Sequence, residues 1–476
     1  MQKLTKIIAT IGPACDTDES IRRLIDSGVN IFRFNFKHST TDWHAERLDR
    51  VNKIAESLNK PIGTLIDLQG PEIRLNTPDE KPLEVKKDDL IYIGSSPTSE
   101  YPKWFSINHE EILQHLQIGQ KIVVDDGLLS FYVEKTGDKC IVKADGDAIL
   151  GNRKSFNIPG ADFPFPVLLD RDREGLELAV KYNIDFIALS FVRSSDDLRI
   201  VREEMNKMKI EAKLIAKIET QKALHDLDEI VKASDGVMVA RGDLGVELPK
   251  EQVPYYQKII IKKCIEKGIP VITATQMLQS MIEMPYPTRA EVSDTANATY
   301  DLTDAVMLSG ETAQGKNPFE AVKVMAETVL FNETKFSTDS RNKFDFDIPD
   351  TESMICNAAY SLYLQCQARN ELLSGIVIFT QTGRTARLLS RYRPIVPIYA
   401  FTPKKNFCDG LTMNFGVFPF EQATLENEQV KHDEILTAMH FLQHNGYVKA
   451  NEKVIVLHGD MWAVEGGTST IKIITI

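Results

Sequence analysis

Short apolar segments alternate with longer amphipathic segments through the first two thirds of the chain. The apolar segments predict buried strands at 6–11, 30–36, 62–68, 185–191, 213–218, 236–241, 269–275 and 305–310. Between them, charged segments with apolar positions near helical spacing predict helices at 18–27, 42–58, 171–181, 196–208, 221–233, 251–267, 289–297 and 318–331. This alternation predicts an α/β fold, a closed (β/α)8 TIM barrel of parallel strands. An open doubly wound sheet is the structural alternative.

Two regions depart from this alternation. Between 74 and 157 the helical spacing is lost, and short β-type segments separated by Asp-Gly turns predict a small all-β domain inserted after the third barrel strand. The polar segment 333–351 predicts a linker, and strands at 375–380 and 453–458 predict a C-terminal α/β domain beyond it. The expected domains are therefore a barrel of 1–73 and 158–332, an insertion of 74–157 and a C-terminal domain of 350–476.

Composition narrows the classes of partner. The 476 residues carry 56 Lys and Arg against 68 Asp and Glu, for a net charge of −12. A surface of this sign repels nucleic acid and anionic lipid, so we expect neither a nucleic-acid nor a membrane partner. Six cysteines without a CxxC pair fit the reduced thiols of a cytoplasmic protein better than a disulfide framework or a zinc site. No apolar segment approaches membrane-spanning length.

Polar side chains stand at the ends of most predicted barrel strands. Residues two apart on an extended segment point to the same face, as do Arg33 and Asn35, Lys217 and Glu219, Arg241 and Asp243, and Ser309 and Glu311. Asp67 and Thr275 end two further strands. The carboxyl ends of parallel barrel strands meet at one rim, which is where TIM barrels carry their active sites.

Two of these side chains suit a divalent cation. Glu219 and Asp243 follow adjacent strands, with no His or Cys nearby in sequence, and such oxygen donors suit Mg²⁺ or Mn²⁺. Lys217 and Arg33 could then face the anionic groups that the metal also binds. Phosphoryl transfer requires this combination, because the protein must position and neutralise spreading negative charge. For Lys217 and Glu219, the simpler alternative is an ion pair at a solvated strand end.

The C-terminal domain contains a second candidate anion site. The segment 380–385 (TQTGRT) follows a predicted strand and precedes a predicted helix at 386–392. Backbone amides and the helix N-terminus would face the anion. The candidate residues are Thr380, Thr382, Gly383, Arg384 and Thr385. A plain strand–turn–helix connection is the alternative.

Motifs along the whole chain resemble those of pyruvate kinases. They include 5–14 (TKIIATIGPA), 33–36 (RFNF), 70–74 (GPEIR), 124–128 (VDDGL) and 157–160 (NIPG), and the most specific are 238–248 (MVARGDLGVEL), 272–282 (ITATQMLQSMI) and 306–312 (VMLSGET). The resemblance implies a catalytic barrel, a mobile lid formed by the inserted domain, an effector site in the C-terminal domain and a homotetramer. It also implies phosphoryl transfer from phosphoenolpyruvate to ADP, which gives pyruvate and ATP in the final step of glycolysis.

The resemblance further implies a role for each matching residue. Glu219 and Asp243 would ligate Mg²⁺ or Mn²⁺, and the implied substrate-binding residues are Arg33, Lys217, Gly242, Asp243 and Thr275. Lys217 would stabilise the phosphoryl group in transfer, and Arg33 would hold the phosphate. Thr275 and Ser309 lie near the position where the enol carbon is protonated, and neither is expected to act as sole proton donor. The positions on the nucleotide side are Asn35, His38, Arg74 and Lys154.

The chain departs from the family pattern at the expected potassium site. Asn35 and Asp67 match K⁺ ligands, but Lys37 replaces a serine ligand, and Leu68 replaces a threonine that supplies its main-chain carbonyl. An ammonium paired with Asp67 or Glu72 would supply the positive charge itself. The hypothesis is an enzyme that works without K⁺; the alternative is a solvated Lys37 beside a weakened cation site.

Two alternative functions are compatible with the same barrel and the same rim residues. A (β/α)8 Mg²⁺-dependent lyase acting on pyruvate-like substrates and a regulatory, non-catalytic relative are the alternatives, and binding of ADP would count against the lyase. Gln381 stands where some fructose-bisphosphate-responsive relatives have lysine, so the expected effector is a phosphorylated metabolite of unassigned identity.

Because Lys217 is expected at an accessible rim, its replacement should lower turnover with little change in folding.

Overall fold

The computed structural model describes residues 2–137, 139–161, 163–335, 344–422, 431–459 and 466–476, with backbone alone at 431–433. The strands are β1 Lys6–Thr10, β2 Ile31–Asn35, β3 Gly63–Asp67, β4 Arg74–Asn76, β5 Leu83–Val85, β6 Leu90–Ile93, β7 Trp104–Ile107, β8 Lys121–Val124, β9 Leu129–Lys135, β10 Cys140–Ala144, β11 Ala148–Leu150, β12 Lys154–Asn157, β13 Phe186–Leu189, β14 Lys213–Ile218, β15 Gly236–Ala240, β16 Val271–Ala274, β17 Ala305–Leu308, β18 Leu373–Phe379, β19 Ile398–Thr402, β20 Val417–Glu421, β21 Lys453–Gly459 and β22 Thr468–Thr475.

The helices surround the strands and fill the connections. They are α1 Asp18–Asp26, α2 Thr41–Leu58, α3 Asp170–Tyr182, α4 Ser195–Lys207, α5 Gln221–His225, α6 Leu227–Ala233, α7 Arg241–Glu247, α8 Val253–Lys267, α9 Arg289–Tyr300, α10 Gly310–Ala313, α11 Pro318–Glu333, α12 Thr351–Ala368, α13 Arg384–Ser390, α14 Lys405–Asp409 and α15 Lys431–His444. Within the described ranges, no helix has the length and apolar character needed to cross a bilayer.

Eight parallel strands close into a barrel in the order β1-β17-β16-β15-β14-β13-β3-β2. Their inward side chains form a separate apolar cluster that includes Ile8, Leu65, Phe186 and Met238. Met413, from the C-terminal part of the chain, belongs to the same cluster. The prediction of a closed (β/α)8 barrel is therefore confirmed, and the open doubly wound sheet is excluded.

The helix predictions hold except in one segment. The segment 221–233 forms two helices, because Asp226 leaves helical geometry with φ −104° and ψ 18°. The Asp226 carboxylate accepts a hydrogen bond from the Ser195 amide at 2.7 Å, which satisfies a free amide at the start of α4. The residue at which the helix divides thus bonds another element, a contact that periodicity could not reveal.

The insertion forms a second closed barrel, in the order β10-β6-β7-β4-β12-β8-β9. Its core is separate from that of the large barrel and is built around Phe105, Phe131 and Phe156. Across the described part of 74–157 the regular elements are strands and short 3-10 turns, so the all-β prediction is confirmed.

The C-terminal sheet has five strands in the order β20-β19-β18-β21-β22. β22 runs antiparallel to β21, while the other neighbours are parallel. The sequence predicted only β18 and β21 of these strands. Residues 336–343 of the predicted linker lie outside the described residues, and its first residue, Glu333, ends α11.

Buried polar contacts join the C-terminal sheet to the large barrel. The Arg393 guanidinium donates to the two Asp304 carboxylate oxygens at 3.1 and 2.7 Å, and both side chains are almost fully buried. Asp304 also accepts the amides of Val271 and Phe415 at 3.0 and 2.9 Å. The ion pair thereby connects the residue before β17 of the barrel with the segment between α13 and β19, and the two amides add β16 and the segment that leads into β20 to the same contact.

Candidate active site

The carboxyl ends of the barrel strands bring most of the predicted site residues together. In the register of the barrel Asn35 pairs with Asp67, and Asp67 pairs with Ala188, so β2, β3 and β13 end level with one another. One cavity at this rim is lined by Arg33, Asn35, Lys37, Asp67, Leu68, Lys217, Glu219, Asp243 and Thr275. Residues distant in sequence therefore face a common space.

Lys217 is the centre of a buried charge cluster. Its ammonium nitrogen lies 3.1 Å from Asp67, 2.8 Å from Glu219 and 2.7 Å from the Ser190 hydroxyl. Burial opposes the charged form, but Asp67 and Glu219 raise the pKa of Lys217 above its usual value. Lys217 is 9 % exposed and Glu219 is 1 % exposed, so the alternative of a solvated ion pair is wrong.

Asp67 also orients Arg33, the residue expected to hold the substrate phosphate. Arg33 donates from Nε to Asp67 at 2.7 Å and from Nη1 to the Thr10 hydroxyl at 2.9 Å. Burial alone would raise the pKa of Asp67, but the charges of Lys217 and Arg33 hold it below its usual value. An ionised Asp67 therefore fixes both cations at the cavity.

Two positioning hydroxyls were missed by the sequence analysis. Thr10 receives a hydrogen bond from Arg33 and donates one to the Leu308 carbonyl at 2.9 Å. The Ser190 hydroxyl accepts a hydrogen bond from the Lys217 ammonium and donates one to the Leu68 carbonyl at 2.7 Å. Both residues stand at strand ends, and this position was the one feature of the sequence that could have indicated a role at the rim. Their hydrogen-bond partners depend on the order of strands around the barrel.

Glu219 and Asp243 fit a divalent cation. Glu219 uses one oxygen for Lys217 and accepts the Phe191 amide on the other at 2.6 Å. Removal from bulk solvent and the nearby charge of Glu219 raise the pKa of Asp243 to about 7. Two carboxylates that repel each other in this way favour a hard cation. In the described ranges no group of three or more His, Cys, Asp or Glu could hold a metal alone, so the ion would take further oxygens from water or substrate.

Thr275 and Gly242 meet at the same rim, whereas Ser309 lies apart. The Gly242 amide donates to the Thr275 hydroxyl at 2.8 Å, and that hydroxyl donates to the Ala274 carbonyl at 2.7 Å. Ser309 stands at the end of β17, outside the residues that line the cavity, and its amide donates to Glu311 at 2.8 Å. The structure thus places Thr275 closer to the charge cluster than Ser309.

The predicted nucleotide-side residues extend from the rim onto the small barrel. Asn35 lines the cavity, while Arg74 and Lys154 stand on the neighbouring small-barrel strands β4 and β12. Arg74 pairs with Glu72 at 2.7 Å, and Lys154 pairs with Asp125 at 2.9 Å. Burial, together with the charge of Lys37, lowers the pKa of His38.

At the expected potassium site, Lys37 has a carboxylate partner. Its ammonium lies 2.6 Å from Glu72, with the two side chains 30 % and 8 % exposed. Asp67, the other partner considered, binds Arg33 and Lys217 instead. Of the two pairings expected from the sequence, the structure has the one with Glu72, and the purely solvated lysine is wrong.

The C-terminal loop is held by carboxylates from the start of α12. Arg384 pairs with Asp350 at 2.6 Å and also contacts Glu352, while the Thr385 hydroxyl donates to Glu352 at 2.5 Å. The Thr380 hydroxyl accepts the amide of Gly383, and the Thr382 carbonyl accepts Arg387. The helix that follows, α13, has seven residues and begins at Arg384, two residues before the predicted start. The anion site at this loop stays a prediction.

A TIM-barrel rim that combines two carboxylates suited to a divalent cation with a lysine and an arginine is the arrangement expected of a phosphotransferase. Comparison with known proteins specifies the family. Residues 2–322 match the model of the pyruvate kinase barrel domain, and residues 355–474 match that of the pyruvate kinase alpha/beta domain. The chain belongs to the pyruvate kinase family.

Individual relatives agree with this assignment over nearly the whole chain. The chain is 38 % identical to a pyruvate kinase of Staphylococcus epidermidis over 473 residues, which cover 98 % of the chain and 80 % of that protein. It is 37 % identical over 475 residues to a pyruvate kinase of Staphylococcus aureus, with the same coverage. A crystal structure of a pyruvate kinase from Cryptosporidium parvum superimposes with a TM-score of 0.90 at 34 % identity, covering 100 % of this chain and 96 % of that one. These similarities do not favour the lyase or the regulatory relative.

Proposed function

We propose that the chain transfers the phosphoryl group of phosphoenolpyruvate to ADP, giving ATP and pyruvate. The observation that supports this most strongly is the buried cluster in which Asp67 orients both Lys217 and Arg33 toward the cavity that Glu219 and Asp243 also line. Two fixed cations in the same cavity as two carboxylates suited to a divalent cation fit a substrate that carries both a phosphate and a carboxylate.

Positioned charge is the source of catalysis in this proposal. Glu219 and Asp243 would hold Mg²⁺ or Mn²⁺, which supplies electrostatic stabilisation of the substrate oxygens when bound. Arg33 holds the phosphate, and Lys217 neutralises the charge that develops on the phosphoryl group. Because Asp67 and Ser190 already fix the Lys217 ammonium, little reorganisation is needed during the reaction.

The remaining residues act at the two ends of the reaction. Gly242 and Thr275 bind the substrate carboxylate, and Thr275 lies toward the carbon that is protonated. Ser309, the other residue expected near that carbon, stands farther away at the end of β17. On the other side, Asn35, His38, Arg74 and Lys154 bind the nucleotide. Closure of the small barrel as a lid would exclude water that could intercept the phosphoryl group.

A coupled assay tests the proposed reaction. Pyruvate is followed with lactate dehydrogenase and ATP with luciferase, each after mixing phosphoenolpyruvate, ADP and Mg²⁺. We expect equal amounts of both products and no turnover in excess EDTA. Pyruvate formation that is independent of ADP would instead support the lyase, and binding of phosphoenolpyruvate without any product would support the regulatory relative.

We further propose that the enzyme does not require K⁺. Lys37 places an ammonium at the cavity wall, fixed by Glu72, where family members that need the ion have a serine ligand. We expect turnover to change less than about two-fold when KCl replaces tetramethylammonium chloride at constant ionic strength. A strong rise in rate with KCl would contradict this proposal.

We infer several further properties from family membership. These are a cytoplasmic homotetramer, a phosphorylated-metabolite effector at Thr380–Thr385, and the three domains 1–73 with 158–332, 74–157 and 350–476. The buried, unpaired thiols of the described residues, including Cys15 and Cys264, are compatible with a reducing compartment. Sedimentation at micromolar concentration would test the tetramer, and phosphoenolpyruvate saturation curves with candidate sugar phosphates would test the effector.

A further inference from the structure

Two consecutive residues at the active-site rim have a left-handed backbone conformation. Thr275 has φ 65° and Gln276 has φ 52°, although neither is glycine. A β-branched residue such as threonine is disfavoured in this conformation. Two consecutive non-glycine residues keep it only where the surrounding structure imposes it. Thr275 lines the cavity, so this costly turn determines where its hydroxyl lies.

One buried arginine contacts the turn from behind. Arg241 is 9 % exposed and donates from Nε to the Ala274 carbonyl at 3.1 Å and from Nη2 to the Thr275 carbonyl at 2.6 Å. The same Nη2 reaches the Met277 sulfur at 2.8 Å. The planar guanidinium therefore bonds groups on both sides of the strained residues, in directions that a lysine ammonium could not match.

Asp294 on α9 orients this arginine. Its two carboxylate oxygens receive Arg241 Nη1 at 2.8 and 2.7 Å. The Arg241 side chain is outside the residues that line the active-site cavity, and its hydrogen bonds to the turn give it a route to the substrate end of that cavity. The contacts form one chain from α9 through the guanidinium to the Thr275 hydroxyl, which in turn accepts the Gly242 amide.

We propose that Arg241 and Asp294 are positioning residues, which hold the turn of Thr275 and Gln276 left-handed and thereby set the Thr275 hydroxyl and the Gly242 amide for the substrate. The inference rests on the proposed function, because the substrate end concerned is the carboxylate and enol end of phosphoenolpyruvate. Neither residue is assigned a role in binding ADP or the metal.

The first test is the variant Arg241→Lys, which keeps the positive charge but loses the planar guanidinium with its several N–H donors. We expect kcat/KM for phosphoenolpyruvate to fall about 10- to 100-fold, the scale of a misplaced binding group, while KM for ADP changes less than about two-fold. Asp294→Asn should give a smaller loss in the same direction. Arg202→Lys is the matched control, because Arg202 forms a similar fork with Asp235 and the Ala233 carbonyl away from the cavity. It should leave both constants unchanged.

The second test is a rescue that a merely structural role would not produce. Gln276 is exposed, and glycine adopts its φ without steric cost. Gln276→Gly should therefore recover several-fold of the lost kcat/KM in the Arg241→Lys background and change the parent by less than about two-fold. Equal losses for phosphoenolpyruvate and ADP, or no recovery with glycine in a variant of unchanged thermal midpoint, would overturn the inference.

A third measurement separates this inference from the proposed function. A crystal structure of Arg241→Lys should show Thr275 and Gln276 relaxed to negative φ, whatever reaction the enzyme catalyses. Retention of both positive φ values would refute the positioning role even if the parent enzyme turns over phosphoenolpyruvate and ADP. Absence of turnover in the parent would refute the proposed function and leave this structural outcome as the test.

Discussion

Replacement of Lys217 by methionine tests both the proposed role of the side chain and its burial. The Lys217→Met variant keeps the aliphatic length and removes a charge that contacts Asp67, Glu219 and Ser190 at 2.7–3.1 Å. Loss of one preorganised stabilising donor lowers kcat by about 10²–10³-fold. We therefore expect turnover to fall by at least this factor, measured as ATP formed under saturating phosphoenolpyruvate and ADP.

The structure also changes the expectation for folding. Lys217 compensates two carboxylates that are each 1 % exposed, so it is no ordinary accessible rim lysine. Breaking a buried ion pair destabilises by about 3–5 kcal/mol. Arg33 remains on Asp67 and the Phe191 amide remains on Glu219, so we expect a loss at the lower end, about 3 kcal/mol. The sequence-based expectation of little effect on folding is therefore replaced.

The matched control is Lys232→Met. Lys232 forms an ion pair with Glu229 at 2.6 Å, but both side chains are more than half exposed. Such a solvated pair contributes little to stability, so the urea midpoint and kcat of this variant should stay close to the parent values. Both variants are unfolded in urea with EDTA present. Turnover of Lys217→Met within a few-fold of the parent would refute its catalytic role, and a midpoint equal to that of Lys232→Met would refute the argument from burial.

Three further predictions concern stability and the cation requirement. Arg393→Met should destabilise the chain by about 3–5 kcal/mol in urea unfolding, because it leaves Asp304 buried without its cation; a loss below 1 kcal/mol would contradict this. Burial and the charge of Asp409 raise the pKa of Asp185 to about 8, and burial raises that of Asp409 to about 7. The folded state binds more protons at this pair than the unfolded state does, so the contribution of the pair to stability should fall from about pH 4 to 8. Asp409→Asn should reduce this slope in urea midpoints measured across that window, and an unchanged slope would count against the pair. The Lys37→Ser variant should turn over more slowly than the parent in tetramethylammonium chloride, and KCl should restore its rate. Equal rates of the variant in both salts would contradict the proposed role of the ammonium.

The barrel and its rim were predictable because each depends on local pattern. Strands buried on both faces read as continuous apolar runs, and the two-residue period of a strand placed Lys217 and Glu219 on one face. The C-terminal β22 was missed because it is an edge strand with mainly exposed or half-buried side chains. On the opposite side of the same sheet, β19 and β20 were missed although both are short runs of apolar residues, and we have no pattern that separates them from loop segments.

The contacts that orient the site could not be predicted in the same way. Ser190 reaches Lys217 across 27 positions in sequence, and Thr10 reaches Arg33 across 23. Each contact depends on which strands become neighbours after the barrel closes and on their register. The left-handed turn at Thr275 is likewise contrary to local preference, and it is hydrogen-bonded by Arg241, 34 positions away in sequence. Sequence therefore indicated which side chains face the rim, and the strand order determined what holds them.

Charge at the cavity explains why Lys37 matters to the cation requirement. The ionisable side chains that line the cavity are three cations, Arg33, Lys37 and Lys217, and three carboxylates, Asp67, Glu219 and Asp243. Their formal charges balance, so a bound divalent cation would leave an excess of two positive charges for an anionic substrate. Serine at position 37 would lower this excess by one, and a monovalent cation would restore it. Asp67 already binds Arg33 and Lys217, so it offers little unbalanced charge to K⁺. In the proposed K⁺-independent enzyme, the lysine would thus supply the charge that the potassium ion otherwise brings.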